Sequence, residues 1–193
     1  MILAGVIVAK WWRDDYLAAR QGTPHPRPFP GATPANTGAM LVAAAGALML
    51  LALETGGELA LGLTAQQSQM TGLFGLYTLV AAFLEELIFR GYLVVENRGR
   101  GPLLAGIVGA SFGFALLHPF LWEWRGGALH LHGGAKPWFS TAAVFAGSLW
   151  FYAVRFFPQN PTRSLLPCVA AHLTKNLGVI VIKSVQGFVA GWW

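Results

Sequence analysis

The stretch MTGLFGLYTLVAAFLEELIFRGYLVV, residues 70–95, is apolar apart from a few small polar residues and the charged group Glu85, Glu86 and Arg90. A run of this length at ~1.5 Å per helical residue exceeds the ~30 Å hydrocarbon thickness of a bilayer. It predicts a membrane-crossing helix with three ionisable residues inside it. Each such residue costs about 2.5–3.5 kcal/mol at the centre of a membrane helix, so all three need partners or water.

The rest of the chain agrees with this reading. Of 193 residues, 55% are hydrophobic and only 11% charged, against about 25% charged in a soluble domain. Abundant Gly, together with Ala and Trp, suits close-packed membrane helices with interfacial aromatic belts. The net charge of +5 is scattered between apolar runs and forms no basic block, which argues against nucleic acid. The single cysteine, Cys168, excludes an internal disulfide and is read as a small buried packing residue.

Six apolar segments are predicted: about 1–12, 39–53, 70–95, 102–121, 138–156 and 164–189. The first is short for a span, so either its helix extends through Trp11 to Leu17 or the chain starts further upstream. It lacks the positive n-region and cleavage site of a signal peptide. Glu54, Gly56, Gly57 and Glu58 are expected to break the second, and Pro102 to open the fourth. Residues 21–38 form a Pro- and Gly-rich loop in which His25 has no visible partner, and residues 123–137 a polar, Gly-rich one containing His130 and His132. Positive residues gather in the odd-numbered loops, which places those loops in the cytoplasm and both termini outside. The expected fold is an all-α polytopic bundle of about six spans, a single membrane domain over residues 1–193. There is no internal repeat to suggest an inverted-repeat transporter.

Helical spacing sorts the ionisable residues. Glu86 and Arg90 are four apart, share a face and can pair. Glu85 lies ~100° around the helix from Glu86, free to point at a cavity. Phe114 and His118 are one turn apart on the fourth segment, and His172 and Asn176 on the sixth. Three helices thus offer a carboxylate, two imidazoles and an amide to one interior, a set able to do acid–base chemistry or to hold a metal. Lys175, between His172 and Asn176, falls on another face and is read as snorkelling or lying near a water-filled opening. The Glu86–Arg90 pair reads equally well as a structural ion pair.

Glu-Glu-x-x-x-Arg (Glu85, Glu86, Arg90), then Phe-x-x-x-His (Phe114, His118), then His-x-x-x-Asn (His172, Asn176) resembles the CPBP family of type II CAAX prenyl proteases and bacteriocin-processing or immunity proteins. The resemblance covers about residues 70–186, the expected catalytic core. It implies an intramembrane endopeptidase in which Glu85 and His172 activate water. His118 and Asn176 would stabilise the oxyanion, and Glu86 and Arg90 would shape the site. A divalent metal such as zinc, held by Glu85, His118 and His172, is one option. A metal-free glutamate mechanism is favoured, because the two histidines come from different helices and no H-E-x-x-H pair exists. The implied partners are the lipid bilayer and a membrane-associated peptide or protein, in a prokaryotic cell membrane. Composition ranks maturation of a bacteriocin leader and removal of a C-terminal sorting helix above the CAAX cut. A non-catalytic immunity or scaffold protein and a small proton-coupled transporter are the rival readings.

Overall fold

A computed structural model describes residues 2–193; Met1, the start of the first expected segment, lies outside the described residues. Six α-helices make up most of the molecule: α1 (Ile2–Arg20), α2 (Thr37–Ala60), α3 (Gly72–Glu86), α4 (Arg100–Leu117), α5 (Ala135–Phe156) and α6 (Leu166–Val185). α3 runs on into a π-helical turn, Leu87–Tyr92. Four of these helices are long and apolar enough to cross a membrane: α2, α3 with its π turn, α4 and α6. α1 is continuous but carries Lys10, Arg13, Asp14 and Asp15 in its second half. α5 has Lys136 in its first turn, Arg155 in its last, and several Ser, Thr, Trp and Tyr residues between.

Burial is the reverse of a soluble protein's. Large apolar side chains such as Leu41, Leu53, Leu104, Phe112, Val181 and Val185 face outward, while Glu86, Arg90, Ser148 and His172 are buried. This is an all-α membrane bundle, with lipid-facing apolar surfaces around a polar interior. α2 packs most extensively on α6. Ala39, Ala43 and Ala47, each fully buried, form a small-residue stripe that lets neighbouring helices approach closely.

Several element boundaries differ from the sequence reading. α2 does not break at Glu54 but continues to Ala60, because Glu54 and Glu58 find cationic partners in Lys175 and Lys136. α4 begins at Arg100, with Pro102 inside its first turn, and ends at Leu117, leaving His118 as its C-cap residue. α6 stops at Val185, and residues 188–192 turn back as a tail. Gly72 N donates to Gly191 O (3.0 Å) and Leu73 N to Trp192 O (3.1 Å), so the tail serves first-turn N–H groups of α3.

The expected polar loop over 123–137 contains an antiparallel hairpin, β1 (Trp122–Arg125) with β2 (Ala128–Leu131). Its turn is Gly126-Gly127, with φ of 59° and 80°, the left-handed geometry of a two-residue hairpin turn. The Pro-rich loop is also ordered. His25 does have a partner, the buried carboxylate of Asp15, which also accepts from Phe29 N at 2.6 Å. Trp12 Nε1 donates to Pro30 O at 3.1 Å, and Leu165 N to Gly31 O at 3.0 Å. The loop is thus stitched between α1 and the turn before α6.

Candidate active site

The site lies in the bundle interior, where the end of α3, its π turn, the end of α4, the middle of α5 and the middle of α6 meet. The π turn frees backbone carbonyls that α5 receives. Tyr152 Oη donates to Phe89 O at 2.5 Å and lies 3.1 Å from Leu93 O, while Arg155 Nε donates to Arg90 O at 3.1 Å. Such π insertions are frequent at functional sites. Here one carries Arg90 just beyond Glu86.

Arg90 and Glu86 are both fully buried. Arg90 Nη1 donates to Glu86 Oε1 at 3.1 Å, and Nη2 donates to Ser148 Oγ at 2.5 Å, with Ser148 O at 3.1 Å. The guanidinium sits among aromatic rings, 4.7 Å from Phe114, 4.8 Å from Tyr152 and 5.2 Å from Phe151, which adds cation–π attraction in a dry setting. The charge in the third span is therefore compensated from α5 as well as from its own helix.

Glu86 Oε1 has a second partner, His172 Nδ1 at 2.7 Å. The sequence reading joined His172 to Glu85; its direct partner is Glu86. An ionised carboxylate only accepts, so Nδ1 carries the ring proton and Nε2 faces away from Glu86. Phe151 stacks on the imidazole, 4.7 Å between centroids, and holds its plane. Glu85 Oε2 stands 3.7 Å from His172 Nε2, too far for a direct hydrogen bond and near enough for one water to touch both. The two adjacent glutamates differ sharply in exposure: the Glu85 side chain is 33% exposed and that of Glu86 0%.

His118 Nδ1 donates to Phe114 O at 2.9 Å, which closes the end of α4 and leaves Nε2 as an acceptor in the neutral ring. Asn176 Nδ2 donates one hydrogen to Thr78 O at 3.1 Å, tying α6 to α3, and keeps a second. A cavity of about 50 Å³ is lined by His118, His172, Lys175, Asn176, Phe114 and Phe151, with Val144 and Gly147. At about 10–15 Å³ of such volume per molecule it holds a few waters. A larger cavity of about 400 Å³, lined mainly by apolar residues including Met70, Leu76, Ile180 and Trp192, lies between α3, α6 and the tail. None of the candidate residues lines it.

All six residues singled out from the sequence thus meet in one interior region. Three others, Ser148, Tyr152 and Glu54, were not anticipated as part of it, and Lys175 was read as snorkelling or lying near a water-filled opening. Ser148 and Tyr152 are spaced one turn apart on α5, a polar stripe in an apolar helix that could have flagged them. Lys175 was assigned to another face, yet it is only 8% exposed and lines the same cavity as His118 and Asn176. Its partner Glu54, at 2.7 Å, lies more than a hundred residues away in sequence.

Among the described residues, no three His, Cys, Asp or Glu side chains converge as a metal-ligand set. Glu85, His118 and His172 are not gathered as a three-ligand set. No step is routed through a metal ion.

A polytopic helix bundle with carboxylate, imidazole and amide side chains around a small polar cavity belongs to the class of intramembrane hydrolases. Residues 67–178, more than half of the chain, match the family model described as type II CAAX prenyl endopeptidase Rce1-like, and the chain belongs to that family. Its activity is accordingly of the intramembrane CAAX-protease type. No curated protein and no solved structure matches the chain.

Proposed function

We propose that the chain is an endopeptidase that hydrolyses a peptide bond of a membrane-associated protein or peptide by glutamate-activated water, within one membrane domain whose catalytic core is about residues 70–186. The observation that carries the reading is the seat of His172 between two carboxylates. Glu86 fixes the tautomer at 2.7 Å, and Glu85 stands 3.7 Å from the other nitrogen. A water in that gap donates one hydrogen to Glu85 and one to His172 Nε2, and turns its lone pair toward the cavity. Glu86 plays the part of the orienting acid in a catalytic triad, and Arg90 and Ser148 hold Glu86 still. Glu85, the more exposed carboxylate, is the general base. Asn176 points its spare amide hydrogen at the developing oxyanion, and His118 Nε2 accepts a hydrogen bond from water or from the substrate amide.

The family match raises the C-terminal cut of a prenylated CAAX protein above the bacteriocin-leader and sorting-helix options that composition favours. The test is cleavage of prenylated and unprenylated peptides by purified protein in liposomes, with and without chelator. Glu85→Gln is expected to lower kcat by about 10²–10⁴, the range for removing a general base. The reading fails if the wild-type protein cleaves no candidate peptide while Glu85→Ala and His172→Ala leave the cellular phenotype intact. Loss of activity with chelator and its return with zinc would replace the glutamate mechanism with a metal one.

A further inference from the structure

Lys175 is a buried cation in the wall of the reaction cavity. It lies on α6 between His172 and Asn176, is 8% exposed, and shares the cavity with His118, His172 and Asn176. Its stem lies against Gly147 of α5, where a Cβ would be in ordinary contact, 3.6 Å from Lys175 Cε. A lone buried ammonium is expensive, and Glu54 of α2 offsets that expense, with its Oε2 2.7 Å from Nζ. At that distance one of the three ammonium N–H groups serves Glu54. Lys175 therefore keeps two N–H groups for the cavity it lines.

His118 cannot supply what Lys175 offers. Its Nδ1–H is committed to the Phe114 carbonyl, and a neutral ring presents only an acceptor at Nε2. The donors left in the cavity are the second amide hydrogen of Asn176 and the ammonium of Lys175. An oxyanion needs preorganised donors where charge develops, and a cation in a water-poor site is the stronger of the two.

We infer that Lys175, held by Glu54, is a catalytic residue that donates to the oxyanion of the tetrahedral intermediate alongside Asn176. This rests on the proteolytic reading above. Water attacks the scissile carbonyl carbon, forming a C–O bond. One water proton passes to Glu85, and the carbonyl π pair moves onto oxygen. That oxyanion accepts from Lys175 Nζ and Asn176 Nδ2. On collapse the C–N bond breaks, and the amine leaves with the proton that Glu85 took.

The experiment compares Lys175→Met, Glu54→Gln and the double variant in liposomes, reading kcat, KM and the inhibition constant of a peptide phosphinate that mimics the tetrahedral oxyanion. Lys175→Met is expected to lower kcat by about 10²–10³, the loss typical of one oxyanion donor, with KM within about threefold. Phosphinate affinity falls by a similar factor. The double variant, which strands no buried charge and so guards against misfolding of Lys175→Met, shows the same loss relative to Glu54→Gln. A double variant within tenfold of Glu54→Gln overturns the inference and leaves Lys175 as a structural counter-ion. Unchanged phosphinate affinity also overturns it. A wild-type protein that cleaves no peptide overturns both this inference and the proteolytic reading, whereas a cleaving protein indifferent to Lys175→Met overturns this one alone.

Discussion

Replacing Arg90 with Met should be among the most damaging single changes in the chain. The side chain is fully buried and joins two helices, with Nη1 on Glu86 (3.1 Å) and Nη2 on Ser148 Oγ (2.5 Å). Methionine matches the stem but leaves the Glu86 carboxylate with His172 as its sole partner and Ser148 with none. Removing one member of a buried ion pair costs about 3–5 kcal/mol, because the survivor is left uncompensated. Arg90→Lys keeps the charge, but one ammonium cannot hold both positions; loss of a charge-assisted hydrogen bond predicts about 1.5–3 kcal/mol. Adding Glu86→Gln to Arg90→Met removes the stranded charge and should recover part of the loss. The assay is reversible unfolding in mixed micelles by SDS titration, followed by far-UV circular dichroism. The expected order of stability is wild type, Arg90→Lys, the double variant, then Arg90→Met. If Arg90→Met loses less than about 1 kcal/mol, or if the double variant is as unstable as the two single losses added, the pair is not the brace described, since contacting charges couple by about 0.5–3 kcal/mol.

Tyr152→Phe takes the hydroxyl away from the freed carbonyls of the π turn; stranding one costs about 1–3 kcal/mol, and kcat should fall more than KM rises as Arg90 loses its register. Gly46→Ala would put a Cβ 2.1 Å from Trp150 Cζ2, an overpacking worth about 1–3 kcal/mol, and adding Trp150→Leu should restore stability in the same SDS titration. Asp15→Asn weakens the hold on Phe29 N and His25. Limited proteolysis within residues 21–35 should then speed up severalfold while kcat stays within twofold; equal proteolysis rates would show that Asp15 does not fasten this loop.

The placement of the site residues was legible because each pair repeats at i, i+4, and helical geometry alone puts such residues on one face. Glu86 with Arg90, Phe114 with His118, and His172 with Asn176 all follow that rule. What escaped had no local signature. The π turn is stabilised by Tyr152 and Arg155 from another helix, and no spacing within residues 87–92 announces it. Glu54 looked like a helix breaker because its compensating cation sits on α6. Lys175 lies beside a polar cavity, one of the two places expected for it, but its face was misassigned for a related reason. A helical wheel assigns faces to Cβ atoms, whereas a four-carbon stem lying across Gly147 carries the charge well away from its own face. The hairpin was hidden by composition: Trp-Glu-Trp-Arg and Leu-His-Leu alternate, but the two glycines between the strands read first as loop.

Charge accounting sharpens the division of labour between the two glutamates. Glu86 is neutralised by Arg90, and Glu54 by Lys175. Among the described residues, Glu85 is the carboxylate of this interior with no ion pair to lysine or arginine; its ionisable neighbours are His172, at 3.7 Å, and His118. It is also the one with a third of its side chain exposed, so water rather than a fixed cation supports its charge. A base that must take a proton from water and hand it to a leaving amine needs both properties, since a tightly paired carboxylate is a poor proton acceptor. Glu86 has neither, and its place against His172 Nδ1 suits orientation instead. The family match begins at residue 67, so the Glu54–Lys175 pair joins a matched helix to α2, which lies outside the match. The counter-ion of a cavity-lining residue thus comes from a helix the match does not cover, and if Lys175 acts as proposed, differences among such proteins at this position should be sought on α2.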